Sequence, residues 1–381
     1  MKTGSMIELL EACVRIPSLS EHEQDVAAFL CDDMRARGFD RTFIDDAGNA
    51  VGIVGEGSRQ IVLLGHMDTV GGDVPVRYED GKLFGRGTVD AKGPLCAFVL
   101  AVAAIAQSRF SNHPNPLPAT ANESAWQLIV IGAVEEESAT SKGARFAATQ
   151  YAPDYCIIGE PSGGDGITLG YKGRLLAQAR FEQAGHHTAM PGPNASELAV
   201  LLWNELKALA QTYNADKPKA FDQIMPSLRK IQSGDDGLRE WCDMLMGIRL
   251  PIEFGPDALQ NELENAKLKI ESAEPSLAQS SIRNSQLSFS GREHAYRSSK
   301  DSPLARAFVD AIRAEKMRPA FKLKTGTADF NVVGPVWNCP IVAYGPGDSM
   351  LDHTPNEHVA IDEFEKSVKV LTRVLRALMS A

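Results

Sequence analysis

A chain of 381 residues and 41.2 kDa is too long for a single core, and about 150 residues per domain predicts two or three domains. With 44% apolar and 23% charged residues it is no disordered chain, and its longest apolar stretch, 95–106, falls short of the about twenty residues a membrane span needs. A net charge of −10 argues against a nucleic-acid partner.

The opening, which carries Glu8 and Glu11, does not read as a signal peptide. Six cysteines without a Cys-x-x-Cys pair read as reduced thiols of a cytoplasmic protein. The periodicity then predicts helices over 7–14 and from a Ser20 cap with Glu23 three residues on, closed by Gly38. Strands are predicted at 50–54 and 61–64, and a hairpin at 77–84 turns at Asp80-Gly81. A helix over 90–107, an exposed loop over 108–125, a strand at 127–134, a helix at 141–149 and a strand at 155–158 continue the series. Strands alternating with helices give an α/β domain with a mostly parallel sheet.

After Gly163-Gly164 the pattern changes to two strands over 167–183, a helix at 194–213, strands at 223–232 and 246–252, a helix at 257–265 and a strand at 268–273. This is the reading of a smaller α+β domain inserted at 166–291 into a discontinuous catalytic domain of residues 1–165 and 292–381. The alternation resumes near Ser302 and ends in a helix over 361–379.

Polar groups of one kind gather at the ends of the apolar strands. His66 and Asp68 follow the strand at 61–64, where open α/β sheets form ligand crevices. An aspartate two residues from a histidine can take its second ring N–H and leave the other nitrogen for a metal. Asp90 follows a Gly-rich turn, and Glu135-Glu136-Glu137 ends a buried strand where three acids repel one another unless cations neutralise them. Glu160 ends the strand at 155–158, and His353 lies in a loop after the strand at 341–344. Each alone also reads as an ordinary loop or helix-end residue. Together, two histidines and three carboxylates are the ligand inventory of a paired-zinc site.

Gly65-His66-Met67-Asp68-Thr69-Val70, Gly85-Arg86-Gly87-Thr88-Val89-Asp90-Ala91-Lys92-Gly93, the acidic cluster and Gly159-Glu160-Pro161 resemble the co-catalytic zinc amidohydrolases, such as acetylornithine deacetylase, succinyl-diaminopimelate desuccinylase, aminoacylases and carboxypeptidase G. The resemblance implies two Zn²⁺ per chain, with Co²⁺ as a possible substitute. It assigns His66, Asp90 and Glu160 to one ion, and a bridging Asp90, Glu137 and His353 to the other. Asp68 would orient His66. Glu136 would be the base that activates a zinc-bound water, a frame chosen because Gly143 stands six residues after Glu137. A cis peptide after Asp90 is also implied.

In the inserted, lid-like domain, His187 of Gly185-His186-His187-Thr188-Ala189-Met190-Pro191 would reach the active site of a partner subunit, which implies a homodimer. Arg249 would bind the substrate carboxylate, and Thr327, in Lys324-Thr325-Gly326-Thr327-Ala328-Asp329, would line the pocket. Within the family, the stretches 160–174, 324–334 and 344–355 look most like the lysine-biosynthesis deacylases. Those enzymes release lysine or ornithine from the acidic carrier protein LysW. An acidic carrier favours a basic docking surface, yet residues 167–291 hold 13 Lys/Arg against 15 Asp/Glu. Deacylation of free small molecules such as acetylornithine is the alternative, and a non-catalytic binding protein of the same fold the third reading.

Overall fold

In the computed structural model, which describes residues 6–110, 123–185, 192–273 and 283–381, helix α1 (Met6–Val14) is followed by α2 (Gln24–Ala36). The cap predicted at Ser20 does not form. The helix starts later, with Glu23 at its N-cap and no side-chain bond to the first turn, because both side chains are engaged elsewhere. Gly38 ends this helix at a φ of 92°.

Strands β1 (Arg41–Ile44), β2 (Ala50–Val54) and β3 (Arg59–His66) come next. The hairpin of β4 (Arg77–Glu79) and β5 (Lys82–Phe84) turns where expected, with Asp80 and Gly81 both at positive φ. Helix α3 (Lys92–Phe110) starts two residues after Asp90, and the Asp90-Ala91 peptide is cis. Strand β6 (Trp126–Ala133), helix α4 (Lys142–Gln150) and strands β7 (Tyr155–Gly159) and β8 (Gly166–Tyr171) complete this stretch. Most of the loop expected at 108–125, residues 111–122, lies outside the described residues.

The second stretch holds β9 (Gly173–Ala184), α5 (Ala195–Asn214), β10 (Met225–Asp235), β11 (Arg239–Leu250), α6 (Pro256–Ala273) and β12 (Arg283–Glu293). Helix α5 opens with a capping box in which Asn194 and Glu197 satisfy each other's backbone N–H. The strand expected at 268–273 is instead the last part of α6. Leu268 and Ile270 alternate with charged residues, but Leu259, Leu263, Ala266 and Ile270 form a buried stripe at helical spacing, and the longer periodicity wins. Strand β12 carries only a short strand signal, Leu287 and Phe289 alternating with Ser288 and Ser290.

The chain then gives β13 (Tyr296–Arg297), α7 (Pro303–Ala314), β14 (Ala320–Lys324), α8 (Asp329–Trp337), β15 (Ile341–Ala343), β16 (His358–Ala360) and α9 (Ile361–Met379). The residues divide into two compact units. One comprises Met1–Gly170, Arg297–Leu323 and Ala328–Ala381, and the other Tyr171–Tyr296 and Lys324–Thr327.

The second unit is an antiparallel sheet of order β10-β11-β9-β12, with α5 and α6 sharing its apolar core. The first is built on a mixed sheet of order β1-β2-β6-β3-β7-β15-β8-β13, with β14 paired to β8. Its centre is parallel: β3 runs beside β6 and β7, and β15 beside β7, while β2 and β8 join antiparallel. The central strands are buried on both faces, which is why they read as unbroken Val/Ile/Leu runs. Register sets where these strands end. His66 pairs with Ala133, Gly65 with Gly159, and Ala343 with Ile158, so four parallel strands stop at one level and hand their next residues to one edge.

The cysteines at 13, 31, 96, 156 and 242 are buried and free, and Cys339 is half-buried and free. Among the described residues no helix is long and apolar enough to cross a membrane.

Candidate metal centre

His66 is the last residue of β3 and is 1% exposed. Its Nδ1 donates to the Asp68 carbonyl at 3.1 Å and lies 3.3 Å from Asp68 Oδ1, so Nε2 faces the other way. There Nε2 meets Asp90 Oδ1 at 3.1 Å and lies 3.9 Å from both Glu160 Oε1 and Glu136 Oε2. The other oxygen of Asp90, Oδ2, stands 3.0 Å from His353 Nε2, which is also 3.0 Å from Glu137 Oε1. Ligand atoms of His66, Asp90 and Glu160 thus lie within 4.8 Å of one another, as do those of Asp90, Glu137 and His353. One carboxylate joins two triads.

Asp68 does more than face an imidazole. Fully buried, it accepts the Glu136 N–H at Oδ1 (3.1 Å) and the Glu137 N–H at Oδ2 (3.0 Å). It thereby fixes the turn after β6 relative to the turn after β3. Ser20 donates to Asp68 Oδ2 at 2.7 Å, and Glu23 accepts the N–H of Glu135 at 3.0 Å, with Glu135 held at a φ of 59°. The two residues that read as a helix cap are therefore spent on holding the site. Gly143 packs against the same turn: a Cβ there would stand 2.3 Å from Asn49 Oδ1 and 2.5 Å from Val134 N, so only glycine fits without displacing backbone.

The loop carrying Glu160 is tied down from elsewhere. Lys322 donates to Ser162 O at 2.6 Å, and Glu363 accepts the N–H groups of Gly164 (2.9 Å) and Gly347 (2.8 Å). Glu357, fully buried, binds the loop that leads to Asp90. Ser20, Glu23, Glu357 and Glu363 carry no mark of a site residue in the sequence. Nothing in periodicity or motif distinguishes a serine or acid aimed at a neighbouring loop from one aimed at water.

The electrostatics favour positive charge. Burial, together with the acids Glu160, Asp329 and Glu137, pushes the Glu136 carboxyl well above its ordinary value against the pull of His66. Burial likewise raises Glu137. Hydrogen bonds to Asp90 and Glu137 lift His353 to about 10. Burial opposes the charge on His66, yet Glu136, Asp68 and Asp90 raise its pKa well above the usual imidazole value. Asp90 resists its own burial and is held low by the two imidazoles. Imidazole nitrogens and carboxylate oxygens without a thiolate form a donor set suited to zinc and its borderline relatives, and two such triads sharing a bridge fit a pair of divalent cations.

Arg249 and Thr327 belong to the second unit. Arg249 lies on β11, close enough to the buried Lys172 to help depress its pKa to about 8, a shift led by burial. Thr327 donates to Lys172 O at 2.8 Å. The two predicted substrate-side residues are thus gathered around one lysine, whose Nζ donates to Ala220, Phe221 and Gln223 carbonyls. His187 lies outside the described residues.

The chain is 44% identical over 376 residues to a LysW-lysine hydrolase of Deinococcus radiodurans, covering 98% of this chain and 96% of the relative. It is 35% identical over 376 residues to a putative LysW-lysine/LysW-ornithine hydrolase of Thermococcus kodakarensis, covering 98% and 92% of the two chains. The fold matches that of a Staphylococcus aureus tripeptidase with a TM-score of 0.77 at 15% identity, over 99% of this chain and 98% of the other. A family model matches residues 62–377, a span that runs from β3 through His353 into α9. With that span matched, the chain belongs to peptidase family M20/M25/M40.

Proposed function

We propose that this protein is a metal-dependent amide hydrolase that releases lysine or ornithine from the carrier protein LysW, with acetyl conjugates as the simplest alternative acyl donors. The observation that carries the chemistry is Asp90, whose two carboxylate oxygens each meet a different imidazole at 3.0–3.1 Å. The substrate assignment rests on the 44% identity to a LysW-lysine hydrolase over nearly the whole chain.

On this reading His66, Asp90 and Glu160 hold one Zn²⁺, and Asp90, Glu137 and His353 the other, with Co²⁺ a workable substitute. When bound, such a pair of ions supplies Lewis-acid polarisation of the amide carbonyl and acidifies a water molecule. Glu136 belongs to neither triad, and its carboxylate is free of ligand duty. It accepts a proton from the attacking water and returns it to the departing amine, the work of a general base and then acid. Arg249 pairs with the substrate carboxylate, and the Thr327 loop lines the pocket around it.

His187, from a second copy of the chain, stabilises the negative charge that develops on the amide oxygen as water attacks, and the dimer forms through the second unit. One of the two edges of that unit's sheet is β10, where Met225, Leu228 and Ile231 are exposed. A solution mass of two chains by light scattering is the expected result, and a monomer that is fully active would remove His187 from the mechanism. The free cysteines suit a cytoplasmic site of action.

Amine release measured side by side on LysW–lysine, LysW–ornithine, acetyl-lysine and acetylornithine tests the substrate. The carrier conjugates are expected to give the highest kcat/KM. Turnover of acetylornithine alone would overturn the assignment, and full activity after exhaustive chelation would overturn the metal chemistry. Asp68→Asn supplies a further check. An amide NH₂ cannot accept the N–H groups that Asp68 now takes from Glu136 and Glu137, so one of them loses its acceptor. Metal affinity or kcat is expected to fall about 10–100-fold, as for other groups that orient ligands, and competition with a fluorescent chelator reads it.

A further inference from the structure

Glu357 lies four residues beyond His353, belongs to neither triad, and is 0% exposed. Its Oε1 accepts three backbone N–H groups, from Gly87 (2.9 Å), Val89 (3.0 Å) and Asp90 (3.2 Å). Its Oε2 accepts from Arg86 Nη1 at 2.7 Å, and Arg86 in turn donates from Nε to Gly72 O at 3.0 Å. The Glu357 carbonyl accepts the Gly85 N–H at 3.3 Å, and the next residue, His358, begins β16 opposite Phe84 of β5. One buried carboxylate therefore organises the whole turn from β5 to Asp90, and does so from the segment that carries His353.

We infer that Glu357 is a positioning residue that sets the bridging Asp90 against His353, and so governs the second metal position more than the first. The asymmetry follows from where the other ligands are rooted. His66 and Glu160 stand at the ends of β3 and β7, strands paired in register. Glu137 and His353 stand on loops, with the His353 side chain 49% exposed and its backbone at a φ of 59°. Two of the first triad's three ligands, His66 and Glu160, are thus rooted at strand ends of the sheet. The second depends on the contacts between its loops, and beside the His353–Asp90 contact itself the hydrogen bonds of Glu357 join the Asp90 loop to the His353 segment. Buried charge-assisted hydrogen bonds are the strong kind, and they hold a loop that belongs to no helix or strand.

This inference rests on the two-ion reading, and titration of the metal-stripped full chain with Co²⁺ or Zn²⁺, followed by calorimetry and by the Co²⁺ absorption bands, separates the two. The wild-type protein is expected to take up two equivalents. Glu357→Gln keeps an oxygen but turns an NH₂ toward either the three N–H groups or Arg86, so it is expected to bind the first equivalent within about threefold of wild type. The second equivalent is expected to weaken about 10–100-fold, and kcat to fall with KM little changed, recovering as metal is added in excess. Two equivalents bound at wild-type affinity by Glu357→Gln would overturn the inference, even if the metal-free variant melted earlier, since a purely structural role predicts only the earlier melting. Should Glu357→Gln not fold, Glu357→Asp keeps the charge but falls short of the loop, and must show the same split between equivalents. Equal weakening of both would likewise overturn it. A wild-type protein that takes up one equivalent or none would refute the two-ion reading itself.

Discussion

Glu136→Gln is expected to lower kcat by about 10²–10⁴-fold while the protein still carries two metal ions and binds substrate with little change in KM. The substitution is isosteric and removes only the capacity to accept a proton. Glu136 Oε2 stays 3.9 Å from His66 Nε2, whereas Glu137 Oε1 lies 3.0 Å from His353 Nε2. The two neighbouring acids therefore predict different phenotypes. Glu137→Gln should weaken metal binding first and lose activity as a consequence, with partial recovery in excess metal. Glu136→Gln should lose turnover at full metal occupancy, and no excess restores it. Metal analysis by emission spectroscopy beside steady-state kinetics checks both. If Glu136→Gln lost metal and Glu137→Gln kept it, the frame of the acidic cluster would be shifted by one residue. Glu136→Gln with two ions and near-normal kcat would remove the base from the mechanism.

Much of the scaffold for that chemistry was legible in the amino-acid sequence, for a reason visible in β3, β6 and β7. Strands buried on both faces must be apolar throughout, so the first polar residue after each run marks the sheet edge. His66, Glu135-Glu136-Glu137 and Glu160 are such residues, and the parallel register brings their turns to one level. What the sequence did not disclose are the cross-ties. Ser20 and Glu23 have the spacing of a capping box, and the same spacing serves equally to put a hydroxyl on Asp68 and a carboxylate on the Glu135 N–H. Glu357 stands just before β16 and Glu363 in the first turn of α9, and nothing in their neighbours tells that their oxygens collect N–H groups from turns some 270 and 200 residues earlier in the chain. In the second unit the difference had another source. Residues 268–271 alternate apolar and charged, but the deciding pattern was the longer stripe ending at Ile270, visible only with α6 taken as a whole.

Asp90→Ala is expected to have the largest effect on metal content of any single change, because Asp90 is the one residue common to both triads. Loss of Glu160 or His353 leaves the opposite triad complete. Loss of Asp90 leaves His66 with Glu160 and His353 with Glu137, two ligands each and no bridge. Occupancy should fall from two ions to less than one after gel filtration, and kcat by more than the about 10–100-fold typical of a change behind the ligands. Thermal unfolding offers a reading independent of turnover. An ion that binds the folded chain and not the unfolded one raises stability by mass action, about 2.7 kcal/mol at a hundredfold excess over its dissociation constant. The wild-type melting temperature should therefore climb as Zn²⁺ is titrated into the stripped protein, and that of Asp90→Ala should stay flat over the same range. Glu357 and Arg86 would still hold the 85–90 turn in the variant, since their bonds reach its backbone and not the Asp90 side chain. A flat melting curve then reports the missing bridge and not a collapsed loop. A rise equal to that of the wild type would mean that the ions do not depend on Asp90 at all, and would overturn its place at the centre of the cluster.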